Sequence, residues 1–126
     1  MAKSKVLIVD DEAIVRESIK DWLTDAGYEV TTAETGEEAQ VMMSRQDFGV
    51  VILDIRLPGK TGIEVLKEVK AVKPDIKSII ITAYPSEETT NEAKRLGAID
   101  YLIKPLVLED LEKLICNTLE EADSCK

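Results

Sequence analysis

A regular alternation constrains this chain more than any other feature. Short unbroken runs of Val, Ile and Leu take turns with stretches whose apolar residues recur at helical spacing. Val6-Leu7-Ile8-Val9 is followed by Val15, Ile19, Trp22 and Leu23, a predicted amphipathic helix that Gly27 ends. A weaker strand is expected from Tyr28 to Thr32. Thr35-Gly36-Glu37-Glu38 then opens a helix through Ser44 as a capping box, a hydroxyl and a carboxylate placed to serve the first amides. Val50-Val51-Ile52-Leu53 is the next buried run, and Pro58-Gly59 marks a turn. A second capping box, Thr61-Gly62-Ile63-Glu64, starts a helix that turns Ile63, Leu66 and Val69 inward and stops before Pro74. Ser78-Ile79-Ile80-Ile81 is a fourth strand, with a helix from Ser86 to Leu96 closed by Gly97. Tyr101-Leu102-Ile103 is a fifth. The last helix, Leu108 to Leu119, places Leu108, Leu111, Ile115 and Leu119 along one side.

The pattern is thus a strand and a helix, five times over. Strands that are apolar throughout belong in a parallel sheet covered on both faces. Right-handed crossovers leave few arrangements, and the expected fold is α/β, flavodoxin-like and doubly wound, with strand order 2-1-3-4-5. No repeat or internal linker divides the chain. Residues 1–126 are read as one domain with a core from about 5 to 119, and 120–126 as a polar tail or the start of a linker.

Composition narrows the chemistry. Sixteen basic against 25 acidic residues give a net charge of −9, which argues against a grip on nucleic acid or an anionic membrane. No apolar run exceeds four residues, so none spans a bilayer, and the run after the basic start Met1 to Lys5 is too short for a secretory signal. A cytoplasmic chain is expected. There is no histidine, and Cys116 and Cys125 are only two cysteines. That removes the usual zinc sets, histidine bases and a disulfide framework. Cys116 reads as a small residue at the core edge and Cys125 as an exposed tail thiol. Chemistry is left to carboxylates, hydroxyls and amines.

Ligands of open parallel sheets bind outside the carboxyl ends of the strands. Those ends carry Asp10-Asp11 on the first strand, Asp54 on the third, Thr82 on the fourth and Lys104 on the fifth. In the order 2-1-3-4-5 these four strands are neighbours, and the plain second strand sits at the edge. Three ionised carboxylates brought together repel one another by about 4 kcal/mol per pair at about 4 Å and an effective dielectric of about 20. A divalent cation and Lys104 supply three balancing charges. Hard oxygen ligands without nitrogen or sulfur select Mg²⁺, which favours a phosphate oxygen as a further ligand. A carboxylate can attack phosphorus to form an acyl phosphate, while Lys104 and the Thr82 hydroxyl stabilise the transferred group. Each residue alone has a plainer reading: Asp11 as a helix cap, Asp54 as a turn residue, Thr82 as structural, Lys104 as solvated. Their convergence on one rim is what points to a metal-assisted phosphoryl acceptor. The lysines at 60, 67, 70, 73 and 77 read as a solvated face.

The segments Val6-Leu7-Ile8-Val9-Asp10-Asp11-Glu12, Leu53-Asp54-Ile55-Arg56-Leu57-Pro58-Gly59, Ile81-Thr82-Ala83 and Gly97-Ala98-Ile99-Asp100-Tyr101-Leu102-Ile103-Lys104-Pro105 resemble the receiver domain of bacterial two-component response regulators. The resemblance spans about Lys5 to Leu119. It implies that Asp54 accepts a phosphoryl group from a sensor histidine kinase or histidine phosphotransfer protein. It implies Mg²⁺ held by Asp11, Asp54 and the Arg56 carbonyl, with Asp10 acting mainly through water, and Lys104 paired with the phosphoryl group. Thr82 then bonds a phosphoryl oxygen, Tyr101 turns into the vacated space, and the surface of the fourth helix, fifth strand and fifth helix changes for a downstream effector. The same resemblance implies self-catalysed dephosphorylation, a phosphorelay role rather than that of an enzyme with a released product, and a cis Lys104-Pro105 bond. Tyr101 has a plainer reading as packing. Tyr84-Pro85 stands where many receivers have a glycine, Leu106 replaces a common phenylalanine, and the last helix lacks the arginines of receivers that dimerise through matched salt bridges. Two rivals fare worse. An aspartyl phosphatase of the haloacid dehalogenase group wants an aspartate where Arg56 stands, and a flavodoxin wants a hydroxyl-rich loop in place of Asp10-Asp11-Glu12.

Overall fold

Runs of Val, Ile and Leu with no polar break pair into a sheet in the computed structural model, which describes residues 4–119. The strands are β1 (Lys5–Val9), β2 (Glu29–Ala33), β3 (Val50–Asp54), β4 (Lys77–Thr82) and β5 (Asp100–Ile103). They form one parallel sheet in the order β2-β1-β3-β4-β5, as the alternation predicts. Between and after them run α1 (Ala13–Asp25), α2 (Gly36–Arg45), α3 (Gly62–Val72), α4 (Glu87–Arg95) and α5 (Leu108–Thr118). No helix among the described residues is long and apolar enough to cross a membrane.

Side chains alternate across a pleated strand, and the two faces fill separate cores. Leu7, Val9, Val51, Leu53 and Ile80 pack under Ala39 and Met43 of α2, Val65, Leu66 and Val69 of α3, and Ala93 of α4. Val6, Ile8, Val50, Ile52, Ile79 and Ile81 pack under Ile19 and Leu23 of α1 and Leu111 and Ile115 of α5. Burying each of these large side chains is worth about 1.5–3 kcal/mol, so both faces hold the sheet rigidly.

Local signals set the helix starts. The hydroxyls of Thr35, Thr61 and Ser86 accept hydrogen bonds from the amides of Glu38, Glu64 and Thr89 at 3.1, 3.2 and 3.1 Å. At the first helix the residues divide differently from the periodic pattern. Trp22 is 40% exposed and its indole N–H donates to Glu112 on α5 at 2.7 Å, while Arg16 takes an inward place beside Ile19 and Leu23. An indole needs a partner for its N–H, and the surface supplies one. Cys116 is buried in α5, in keeping with a small residue at the core edge; Cys125 lies outside the described residues. The lysines of and around α3 face carboxylates: Lys60 pairs with Glu68, Lys67 with Glu92 and Lys73 with Asp47.

Candidate functional site

Register decides what meets at the rim. Val9 pairs with Leu53, so Asp10 and Asp54 emerge side by side from β1 and β3. By the same alternation Asp10, Asp54 and Lys104 continue the sheet face under α1 and α5, whereas Thr82 and Tyr101 continue the face under α3 and α4. Backbone bonds extend the strands into the rim. The Asp10 amide donates to the Ala33 carbonyl at 3.1 Å, and the Lys104 amide to the Thr82 carbonyl at 2.8 Å. The Lys104-Pro105 bond is cis.

Lys104 is the centre of the arrangement. Its Nζ lies 2.8 Å from Asp54 Oδ2, 3.0 Å from Asp10 Oδ2 and 2.6 Å from Glu12 Oε1, with the side chain only 8% exposed. Burial alone pulls the ammonium towards neutrality, but the Asp54, Glu12 and Asp10 carboxylates outweigh it and hold the pKa above the usual lysine value. Asp10 is fully buried. Its burial raises its pKa, an effect eased by the Glu12 amide, which donates to Oδ1 at 2.8 Å, and by Lys104, and increased by the Asp54 charge.

The loops tie the acids down. Asp54 Oδ1 accepts the Arg56 amide at 3.0 Å, so the turn reading of Asp54 also holds, alongside its place in the crevice. Gly62 packs so closely that a Cβ there would stand 2.2 Å from the Asp54 carbonyl oxygen. Thr82 is buried and its Oγ1 accepts the Tyr84 amide at 3.0 Å. Tyr101 is half-buried; its hydroxyl bonds Thr89 Oγ1 at 2.8 Å and accepts the Ser86 amide at 3.4 Å. Asp11 is exposed and lines a crevice of about 230 Å³ with Glu12, Asp54, Arg56, Tyr84 and Lys104. The helix cap is Glu12, not Asp11, so the plain reading of Asp11 does not hold.

Two residues escaped the sequence reading. Glu12 joins Asp10 and Asp54 in a trio of carboxylates whose oxygens lie within 4.8 Å of one another. Arg16 is buried and donates to the Asp10 carbonyl at 2.8 Å while its other nitrogen pairs with Glu34 at 3.1 Å. The signal for Arg16 was present: Arg16, Ile19 and Leu23 form one inward stripe, and a charge on such a stripe needs a buried partner. The donor set fits a hard cation. All of its side-chain ligand atoms are carboxylate oxygens, and Asp10 Oδ2 is buried without a hydrogen bond of its own.

The acidic trio and the captive ammonium thus meet at the carboxyl rim of a doubly wound parallel sheet, where open α/β sheets bind their ligands. Residues 6–116 match the family model of the response regulator receiver domain. The chain is 40% identical over 121 residues to the transcriptional regulatory protein ZraR of Escherichia coli, covering 93% of this chain and 26% of that protein. It is 33% identical over 118 residues to the alginate biosynthesis transcriptional regulatory protein AlgB of Pseudomonas aeruginosa, covering 94% and 26%. The chain therefore spans about a quarter of the length of these curated relatives. The crystal structure of a CheY-like response regulator receiver domain protein from Methanospirillum hungatei superposes with a TM-score of 0.92 at 33% identity, covering 98% of both chains. The chain belongs to the response regulator receiver domain family, the signalling domain of two-component response regulators.

Proposed function

We propose that Asp54 accepts a phosphoryl group from a phosphohistidine on a sensor histidine kinase or histidine phosphotransfer protein. The observation that carries this reading is the contact of Lys104 Nζ with Asp54 Oδ2 at 2.8 Å inside a buried acidic crevice. An Asp54 carboxylate oxygen attacks phosphorus; the new P–O bond forms as the P–N bond breaks, and the departing imidazole keeps the electron pair and takes up a proton. Asp10, Asp11, Asp54 and the Arg56 carbonyl would hold Mg²⁺, Asp10 mainly through water. Bound there, the ion supplies positive charge to the phosphoryl oxygens. Lys104 neutralises part of the charge on the transferred group. In the reverse phase, water attacks phosphorus, the P–O bond to Asp54 breaks, and the free carboxylate and inorganic phosphate result.

Thr82 and Tyr101 couple the site to the outer face. When the Thr82 hydroxyl turns towards a phosphoryl oxygen, it leaves its bond from the Tyr84 amide. Tyr101, moving into the vacated space, must give up Thr89 and Ser86, the first turn of α4. That helix buries only Ala93, so little packing opposes its shift. The altered face of α4, β5 and α5 is what an effector protein or a linked effector domain reads. Residues 1–126 act as one cytoplasmic receiver domain in a phosphorelay, with no nucleic acid or membrane bound by the domain itself. It assists only its own phosphorylation and dephosphorylation.

Incubation with acetyl phosphate and Mg²⁺ tests the reading. A phosphoryl mass that hydroxylamine removes, absent from Asp54→Ala, is expected; equal labelling of Asp54→Ala overturns the assignment.

A further inference from the structure

We propose that Glu12 is a positioning residue that occupies one ammonium donor of Lys104 until a phosphoryl group reaches Asp54, and so restrains the transfer. The inference rests on the phosphoryl-acceptor reading and deepens it. A lysine ammonium has three donors. Two are given to Glu12 Oε1 and Asp54 Oδ2, and Asp10 Oδ2 crowds the ammonium at 3.0 Å without completing a hydrogen bond. A phosphoryl oxygen arriving on Asp54 needs a place beside an ammonium already crowded by three carboxylate oxygens, and one carboxylate must yield. Asp10 and Asp54 are 0% and 5% exposed at their side chains, so neither carboxylate can trade the ammonium for solvent cheaply. The Glu12 side chain is 57% exposed, so its carboxylate can exchange the ammonium for solvent at little cost.

The local structure gives the same assignment independently. Glu12 is the N-cap of α1, with φ −86° and ψ 109°, a position that favours a short Ser, Thr, Asp or Asn side chain closing on the next turn. The Glu12 side chain makes no such bond. It reaches instead across 92 positions of sequence to Lys104, at the shortest of the three contacts. A local preference set aside in favour of a long-range contact at a strand end is the mark of a site requirement.

Two variants separate the contact from the charge. Glu12→Ala removes both; Glu12→Asp keeps the charge but shortens the arm by one methylene. With acetyl phosphate and Mg²⁺, both are expected to accelerate labelling of Asp54 about two- to fivefold, the range an exposed ion pair allows. Without phosphodonor, the ¹H–¹⁵N signal of the Lys104 ammonium, slowed in exchange by its partners, is expected to broaden or vanish in both. Acceleration in Glu12→Ala with Glu12→Asp at the wild-type rate would mean that charge alone acts, and overturns the proposal. So does an unchanged ammonium signal, or no change of rate in either variant. A wild-type chain that takes no phosphoryl group fails the acceptor reading itself, and the restraint with it.

Discussion

Asp10 Oδ2 lies 3.0 Å from Lys104 Nζ, yet it is a buried oxygen that completes no hydrogen bond. The pair is held at ion-pair distance by β1 and the end of β5, not by mutual fit. Such an oxygen is costly in the free protein and useful to a hard cation.

Replacing Asp10 with Asn should therefore stabilise the metal-free chain. Asn keeps the oxygen that accepts the Glu12 amide and removes a desolvated charge, while Lys104 retains Asp54 and Glu12. A gain on the order of 1 kcal/mol, a rise in melting midpoint of about 4 °C, is expected in chelator-containing buffer at neutral pH. The sign with pH follows from the raised pKa of Asp10. The folded state holds its proton more tightly than the unfolded chain, so the wild-type penalty is full above the folded pKa and disappears below the unfolded value. The advantage of Asn should shrink as pH falls through that window; an advantage that grows would contradict the account.

Gly62→Ala should act on the acceptor strand. The added Cβ would meet the Asp54 carbonyl oxygen at 2.2 Å and Ile55 Cα at 2.9 Å, backbone atoms that cannot rotate away. Overpacking of this kind costs roughly 2–3 kcal/mol. Urea unfolding measures it, and an unchanged midpoint would show that the loop gives way freely.

Tyr101→Phe should loosen the start of α4 while leaving the sheet intact. It removes the phenolic contacts to Thr89 and Ser86, and Thr89→Val removes one of the same bonds from the other side. Amide exchange in the first turn of α4 should quicken in both variants, with β4 protection unchanged and a global loss of about 1 kcal/mol or less. Equal protection in wild type and variants would detach Tyr101 from the helix.

Much of this molecule was legible in its sequence because the strands are apolar throughout and four of them end in a polar residue that the strand order brings together. The fold, the element order and the meeting of Asp10, Asp54 and Lys104 all follow that pattern, while the cis bond before Pro105 was expected only from the resemblance to receiver domains. Glu12 did not, because a glutamate after two aspartates at a helix start looks like first-turn charge, and only the fold brings Lys104 to it. Trp22 misled because the helical period counts hydrophobicity and ignores the indole N–H. The tie of Tyr101 to Thr89 depends on where α4 docks on β5, and neither segment's pattern encodes that contact.

Reduction with borohydride after exposure to acetyl phosphate and Mg²⁺ tests the central claim most directly, since it converts an aspartyl phosphate to homoserine where it stands. Peptide mass mapping should find homoserine at position 54 and nowhere else. Homoserine at position 10 or 11, or 2-amino-5-hydroxypentanoic acid at position 12, with position 54 still aspartate, would contradict the account.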